Sequence, residues 1–243
     1  MVTPTAAAAL QASLFARPYR ALVMGSSGAI GRAFVQALQA DAMCLHVAQL
    51  SRTQCPGFDV RDETAIAHHA AQCKAAGPYQ LIIDATGALT LDGVGPEKSL
   101  SALKQEVLLR NFQINTVGPA LLMRDFSPLL ASGPCVYAKL SARVGSISDN
   151  AKGGWYGYRA AKAALNMVLQ TMAIELQRKN PSTCVVALQP GTVRSELSKP
   201  FAASVSHLLE PEESVAGMLA ALQSLTPQSG AHFVDYKGEP IAW

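Results

Sequence analysis

From residue 20 to residue 243, short apolar runs alternate with longer segments whose apolar residues recur at helical spacing. This alternation is typical of strands joined by crossover helices, which form a parallel sheet covered on both faces. The strand candidates are ALVMG from 21, MCLHVAQL from 43, GFDV from 57, YQLIIDAT from 79, CVYAKL from 135, TCVVALQP from 183 and AHFVDY from 231. We therefore predict an α/β fold, a doubly wound sheet of about seven parallel strands with helices on both faces.

The helical segments between these runs indicate the domain organisation. They are AIGRAFVQALQA from 29, RDETAIAHHAAQCKAA from 61, a long segment over 99–131, YGYRAAKAALNMVLQTMAIELQRK from 156 and ESVAGMLAALQSL from 213. No linker or repeat interrupts the alternation, and a chain of 243 residues lies within the size of one α/β domain. We predict a single domain over 20–243, preceded by a mobile extension over 1–19.

The charge and the cysteines argue against several kinds of partner. The formal net charge is only +3 and the basic residues are scattered, which does not fit a nucleic-acid-binding surface. No run reaches the roughly 18 apolar residues of a membrane helix, so we expect a cytoplasmic protein with no membrane partner. The cysteines lack metal-ligand spacing, and we predict free thiols and no metal site.

A glycine-rich turn joins the first strand to the first helix in LVMGSSGAIGRAF. Its glycines fit two registers, GxxGxxG through Gly25, Gly28 and Gly31, or GxxxGxG with Ala29 at the middle position. In either register, the N–H groups and the dipole of the helix start favour an anion such as a pyrophosphate. A glycine-rich turn without a ligand is the alternative.

Tyr158 and Lys162 are four residues apart near the start of a long amphipathic segment, and so share one helix face. An ammonium group beside a phenol lowers the phenol pKa, which prepares the tyrosine to exchange a proton with a carbonyl or alcohol oxygen. By itself YxxxK is common, and a packing tyrosine beside a surface lysine is the alternative.

The glycine turn, the YxxxK sequence, Asn115 in FQINTVGP and the segment PGTVRSEL together resemble the short-chain dehydrogenase/reductase family. The resemblance extends from residue 21 to residue 243 and implies a Rossmann-type fold. The segments SARVGSISDN and GGWYGYRAAKAALNM are similar to the branch of small carbonyl reductases that includes C-factor and Sniffer-like proteins.

This resemblance implies a catalytic role for Tyr158, Lys162 and Asn115. Tyr158 would exchange the proton with the substrate oxygen, and Lys162 would lower the tyrosine pKa and hydrogen-bond the nicotinamide ribose. Asn115 would hold a water molecule that links this lysine to solvent.

The catalytic serine departs from the family pattern. The family's serine usually stands second in SSxxG, where this sequence has Ala142 after Ser141. Because neighbouring strand residues point to opposite faces, Ser141 replaces it only if a bulge turns the chain inward. We expect Ser141 to polarise the carbonyl, with Ser146 as the alternative.

The resemblance also implies the residues that bind a dinucleotide, and it aligns Ala29 with the family's middle glycine. Asp84 stands in DATG where the family usually has an amide, and nothing in the sequence shows what offsets its charge. The implied cofactor contacts are Gly25, Ser27, Gly28, Ala29, Ile30, Gly31, Ser51, Arg52, Asp59, Val60, Ala85, Thr86, Gly87, Tyr158, Lys162, Pro190, Gly191, Val193 and Ser195.

The residues after the second strand indicate which dinucleotide is bound. An NAD enzyme usually has an acidic residue there, whereas this chain has Ser51 and Arg52. A guanidinium suits a 2′-phosphate, so NADP(H) is favoured over NAD(H), although an exposed turn arginine is the ordinary alternative.

These implications describe an NAD(P)H-dependent oxidoreductase that reduces a small uncharged aldehyde or ketone. The segment KPFAASVSHLL is expected to form an apolar lid over the substrate site. The expected substrate in that site is a carbonyl compound or an alcohol. The resemblance further implies a homodimer or homotetramer. The alternative function is that of a dinucleotide-binding signalling or regulatory protein of the C-factor type with little turnover.

Overall fold

A computed structural model describes residues 14–195 and 208–243, in which one parallel sheet is covered by helices. The strands are β1 Tyr19–Met24, β2 Cys44–Leu50, β3 Leu81–Asp84, β4 Cys135–Leu140, β5 Thr183–Gln189 and β6 His232–Asp235. The α-helices are α1 Ala29–Ala40, α2 Glu63–Cys73, α3 Gln105–Phe112, α4 Gly118–Phe126, α5 Tyr156–Lys179 and α6 Pro211–Ser224.

All six strands of the sheet are parallel, in the order β2-β1-β3-β4-β5-β6, which confirms the doubly wound α/β fold. The prediction of a seventh strand at GFDV is wrong, because residues 57–60 lie in turns and irregular chain. Gly57 has a positive φ of 85°, and the N–H of Phe58 bonds to the carbonyl of Cys55 within the turn. The N–H of Asp62 likewise bonds to the carbonyl of Asp59, so these groups are not used in a ladder.

The two faces of the sheet carry separate apolar cores because alternate strand residues point to opposite sides. On one face Val23 and Ile83 pack with Phe34 of α1 and Met218 of α6. On the other face the core joins strand residues to α2, α4 and α5, and includes Leu22, Ile82, Tyr137, Ile66, Phe126, Leu165 and Leu169. Helices on both faces therefore hold the rigid strand ends in place.

The long helical segment expected over 99–131 is interrupted. Between α3 and α4, residues Gln113–Val117 form a π-helical segment in which the N–H of Gly118 bonds to the carbonyl of Gln113. A Cβ atom on Gly118 would lie 2.5 Å from the carbonyl oxygen of Val60, so this close packing requires glycine. The π segment contains Asn115 and determines which way that side chain faces.

The strand order places a crevice at the carboxyl ends of β1 and β3. The chain passes from β1 to β2 on one side and then returns to β3 on the other side of β1. At such a switch point the loops that follow the two neighbouring strands run in opposite directions and leave a crevice between them. Ligands of open α/β sheets bind in this crevice.

Two further observations concern the chain ends and the membrane. Residues 1–13 of the expected mobile extension lie outside the described residues, so its mobility stays a prediction, while Leu14 and Phe15 pack against the core. Within the two described ranges, no helix has both the length and the apolar character needed to cross a bilayer.

We predict that Leu169→Ala lowers the free energy of unfolding by about 2–5 kcal/mol, because Leu169 of α5 is fully buried and its loss leaves a cavity. Chemical denaturation measures this change. The control is Leu45→Ala on β2, where the native residue is 66% exposed. Equal effects of the two substitutions would contradict the burial described.

Candidate functional site

The turn between β1 and α1 requires glycine at two of its positions. Gly25 has φ 78°, and a Cβ atom there would lie 2.9 Å from the carbonyl carbon of Ala85. A Cβ atom on Gly31 would lie 2.1 Å from the carbonyl oxygen of Gly25. Gly28 has more room, because its Cβ would come no nearer than 3.4 Å to Gly25. Both expected registers share the two constrained glycines.

The start of α1 is suited to an anion. Gly28 is the N-cap residue and supplies no side-chain hydrogen bond, and the first turn contains no acidic residue. The N–H groups of Ala29, Ile30 and Gly31 therefore lack intrahelical acceptors at the positive end of the helix dipole. All three residues line the adjoining cavity.

A cavity of about 1010 Å³ extends from this helix start to the start of α5. It brings together most of the expected cofactor and catalytic residues, namely Ser27, Gly28, Ala29, Ile30, Gly31, Arg52, Ala85, Thr86, Gly87, Ser141, Tyr158, Lys162, Pro190 and Ser195. A second cavity of about 540 Å³ shares the glycine turn and Arg52, and is lined also by Gly25, Ser51, Asp59 and Val60. Together the two cavities have room for an extended ligand.

Asn115, Gly191 and Val193 do not line either cavity. Asn115 is fully buried behind Gly87, whose Cβ would lie 3.1 Å from the Asn115 Oδ1 atom. Its Nδ2 group donates to the carbonyl of Ala88 at 2.9 Å, and its Oδ1 accepts from the N–H of Ala88 at 3.0 Å. Asn115 thus anchors the loop after β3.

Tyr158 and Lys162 lie on one face of α5, as expected, and both line the larger cavity. The Lys162 Nζ atom is 5.7 Å from the centroid of the Tyr158 ring, and it donates to the carbonyl of Leu140 at 3.1 Å. Lys162 is buried, with 3% of its surface exposed. The lysine therefore stands below the tyrosine ring and is tied to the end of β4.

The pKa values of Tyr158 and Lys162 differ from those expected from the sequence. Burial lowers the pKa of Lys162 to about 7, helped by the positive charge of Lys139 and opposed by Asp84. Burial raises the pKa of Tyr158 above its ordinary value. The expected lowering of the tyrosine pKa is not found, because desolvation of the half-buried phenol raises this pKa and the ammonium group is only partly charged near pH 7.

The structure separates the two candidate serines. Ser141 follows β4, lines the larger cavity and donates from Oγ to Asn166 Oδ1 at 2.6 Å. Ser146 lines neither cavity, and its Oγ accepts from the N–H of Asp149 at 3.0 Å. Asn166 is one turn beyond Lys162, so a spacing of four from Lys162, and of eight from Tyr158, was the signal that could have identified it.

At the far end of the site, Arg52 stands at the junction of the two cavities. The Ser51 hydroxyl donates to Gln54 at 3.0 Å. The Asp59 carboxylate pairs with Arg61 at 2.6 Å, and this hydrogen bond lowers the pKa of Asp59. Arg52 thus borders both cavities, beside a hydroxyl and a carboxylate that already have partners.

The charge of Asp84 is offset by a residue that the sequence analysis missed. Lys139 lies opposite Asp84 in the β3–β4 register, and its Nζ donates to Asp84 Oδ1 at 3.0 Å. Both side chains have no exposed surface. The signal was available in CVYAKL, where a lysine follows Tyr137 at the strand spacing that points to the core.

Glu97 is a second residue that the sequence analysis missed. Its Oε2 accepts from the N–H of Gly157 at 3.0 Å, in the first turn of α5. Trp155, the N-cap residue of α5, is in the left-handed region at φ 56° and provides no side-chain cap. Glu97 therefore supplies the cap for the helix that carries Tyr158.

The segment after β5 closes the other side of the site. Gly191 has φ 78°, and its Cβ would lie 2.5 Å from Leu209, so the chain there is tightly packed. The carbonyl of Pro190 accepts from the Ser214 hydroxyl at 2.6 Å, which ties this segment to α6. The expected lid is mostly in residues 196–207, which lie outside the described residues.

In the part of the chain that the structure describes, no group of three or more His, Cys, Asp or Glu residues is arranged to hold a metal ion. Of the five cysteines, all are free thiols and two, Cys135 and Cys184, are buried.

Comparisons with known proteins agree on one family. The family model described as short chain dehydrogenase matches residues 19–205. The 1-hydroxy-2-glutathionyl-2-methyl-3-butene dehydrogenase of a Rhodococcus species is 33% identical over 77% of this chain and 79% of its own length. The C-signal protein of Myxococcus xanthus is 32% identical over 69% of this chain and 94% of its own length.

Solved structures share the fold. The carbonyl reductase Sniffer of Drosophila melanogaster superimposes with a TM-score of 0.78 at 22% identity, over 93% of this chain and 100% of its own. An NADPH-bound carbonyl reductase from chicken fatty liver has a TM-score of 0.79 at 23% identity, over 93% and 95% of the two chains.

We predict that Gly31→Ala destabilises the protein by about 1–3 kcal/mol, because its methyl group would overlap the carbonyl of Gly25. Thermal unfolding measures this, and a fluorescence titration with NADPH is expected to show weaker binding as the helix start moves. Gly28→Ala is the matched control and is expected to lose less stability, because its Cβ would come no nearer than 3.4 Å to Gly25. If Gly31→Ala is equally stable, the turn geometry is wrong.

Proposed function

The chain belongs to the short-chain dehydrogenase/reductase family, and from this premise we propose that it is an NADP(H)-dependent reductase of small, uncharged aldehydes or ketones. The observation that carries the proposal is one continuous cavity. Its walls include the anion-binding start of α1 at one end and Tyr158, Lys162 and Ser141 at the other. Such a site can hold a dinucleotide with its reactive end near the phenol.

The residues at the helix start fit a dinucleotide. Gly25 and Gly31 allow the close turn, and the N–H groups of Ala29 and Ile30 face a pyrophosphate. The ribose would lie over Thr86 and Gly87, with Pro190 and Ser195 near the nicotinamide. When bound, the reduced nicotinamide supplies the hydride for carbonyl reduction.

Tyr158 is the proposed proton donor. Because burial raises its pKa, the phenol keeps its proton at neutral pH and can donate it to a carbonyl oxygen. Ser141 would donate a second hydrogen bond to that oxygen after turning from Asn166. Lys162 would bond to the ribose and, when protonated, stabilise the phenolate that remains.

Arg52 supports the preference for NADP(H) over NAD(H). It follows β2, where no acidic side chain is available for the ribose hydroxyls, and it lines both cavities. Its planar guanidinium can form two hydrogen bonds with a 2′-phosphate.

The proposal extends to the setting in which the enzyme works. We place it in the cytoplasm as a homodimer or homotetramer with a carbonyl or alcohol as its small-molecule partner. In support of an assembly, α3 and α5 expose Leu109, Met167 and Ile174. These apolar side chains lie on the two helices that the family resemblance implies as the interface.

A signalling or regulatory protein with little turnover is the second candidate. The similarity to C-signal over 94% of that protein's length favours it. The two candidates differ in one measurement: a regulatory protein binds NADPH but does not oxidise it with any member of a panel of aromatic and aliphatic aldehydes.

We predict that Tyr158→Phe lowers kcat for NADPH-dependent aldehyde reduction roughly 10²- to 10⁴-fold, because the phenolic proton donor is lost. NADPH affinity, measured by fluorescence titration, is expected to stay within about twofold because the ring is retained. Tyr156→Phe is the control, since Tyr156 is half-exposed on the same helix outside both cavities. Full activity in Tyr158→Phe would refute the proton-donor role.

We predict that Arg52→Asp weakens NADPH binding roughly 10- to 100-fold, because it removes charge-assisted hydrogen bonds and adds repulsion. Binding of NADH is expected to weaken less, so the preference shifts towards NADH. Arg178→Asp makes the same charge change at an exposed position on α5 outside both cavities. Unchanged NADPH affinity in Arg52→Asp would show that this residue does not meet the phosphate.

A further inference from the structure

The buried ion pair of Asp84 and Lys139 adjoins the Thr86–Gly87 turn, which packs against the proposed catalytic Lys162. Besides its bond to Asp84, the Lys139 Nζ donates to the carbonyl of Thr86 at 2.6 Å and is 3.2 Å from the Thr86 hydroxyl. That hydroxyl donates to Asp84 Oδ1 at 2.6 Å. Lys139 therefore closes a network around the turn that follows β3.

The same turn touches the proposed catalytic residues from the other side. A Cβ atom on Gly87 would lie 3.1 Å from Asn115 Oδ1 and 3.7 Å from Lys162 Nζ. Lys139 holds the turn at Thr86, and Asn115 holds it at Ala88. A shift of Thr86 would consequently move the surface against which Lys162 packs.

Stability alone does not explain this pair. Apolar residues of similar volume usually stabilise a core as well as a buried ion pair does, or better. The second oxygen of Asp84, Oδ2, is buried without a hydrogen-bond partner, as is the Oη atom of Tyr137. A pair with unsatisfied neighbours that lies next to a catalytic lysine is more consistent with a functional role.

We propose that Lys139, held by Asp84, is a positioning residue for the proposed reductase reaction. It fixes the Thr86–Gly87 turn beneath Lys162 and places a second cation beside that lysine. The catalytic role of Lys139 rests on the proposed function. The effect of the Lys139 charge on the pKa of Lys162 does not, because it exists in the protein without ligand.

The charges of Lys139 and Asp84 shift the pKa of Lys162 in a direction that can be stated. Among the described residues, the titratable groups around Lys162 are Lys139 from β4, Asp84 from β3 and Tyr158 from its own helix. The positive charge of Lys139 lowers the pKa of Lys162 more than Asp84 raises it. Removal of both charges is therefore expected to raise the pKa of Lys162 above its value of about 7.

The double substitution Asp84→Asn with Lys139→Met tests the proposal. Met has an unbranched apolar side chain only one heavy atom shorter than lysine, so the core stays nearly filled and no unpaired charge is buried. The control is Glu175→Gln with Lys179→Met, which removes an exposed ion pair of 2.9 Å from the far end of α5. Circular dichroism and thermal unfolding establish that both proteins are folded.

The first measurement needs no activity. Lysine-labelled protein is titrated by NMR, with the Lys162 signal assigned by its loss in Lys162→Met. We expect the Lys162 midpoint to rise in the Asp84/Lys139 double variant and to stay unchanged in the control. An unchanged midpoint in the folded double variant would overturn the proposed coupling.

The second measurement uses NADPH oxidation with benzaldehyde and butanal across pH. The double variant is expected to have a roughly 10- to 100-fold lower kcat, because the turn is no longer held. The fall of kcat/KM at high pH is expected to move upward with the Lys162 midpoint, because the ammonium form is lost at a higher pH. Wild-type kcat with a wild-type pH profile would overturn the positioning role.

These measurements test the proposed function and the role of Lys139 separately. If the wild type binds NADPH but reduces no aldehyde or ketone in the panel, the proposed function fails, and the NMR titration still decides the coupling. If the wild type is active and the double variant matches it in both measurements, the proposed function stands and the role of Lys139 fails.

Discussion

The site depends on the close approach of two backbone turns at the carboxyl ends of β1 and β3. Gly25 lies so near to Ala85 that a single methyl group would overlap main-chain atoms, and Gly31 packs against Gly25 in turn. Parallel strands bring these ends to one edge of the sheet, and the two apolar cores hold the edge rigid. Because the contacts are between backbones, the position of the start of α1 is defined by the fold itself.

Charge is distributed around this edge in two different ways. At the outer end, Arg52 and the start of α1 are accessible from the cavities and provide positive potential for phosphate groups. At the inner end, Asp84, Lys139 and Lys162 are buried, and the charges of Lys139 and Asp84 act on the pKa of Lys162 in opposite directions. The outer charges can attract a ligand, whereas the inner charges contribute, together with burial, to the pKa of Lys162.

The sequence predicted the elements that have strong periodic patterns and the residues that belong to motifs. Helices α1 and α5 and strand β4 have the predicted bounds, because their apolar residues recur without interruption. The prediction of a strand was wrong for GFDV, because this segment is too short for periodicity to distinguish a strand from a turn. The sequence analysis also missed Lys139, Asn166 and Glu97, because their roles depend on partners far apart in the sequence. The raised pKa of Tyr158 likewise depends on burial, which no local spacing reveals.

The π-helical segment from Gln113 to Val117 has a consequence for how the protein could evolve. A π turn accommodates one residue more than an α turn, and each residue in a helix rotates the following side chains by about 100°. Loss of one residue from this segment would leave α4 with an ordinary α-helical connection. The same loss would turn Asn115 away from Ala88 or displace α4 from the sheet. In this segment, chain length is therefore constrained more strongly than the identity of most side chains.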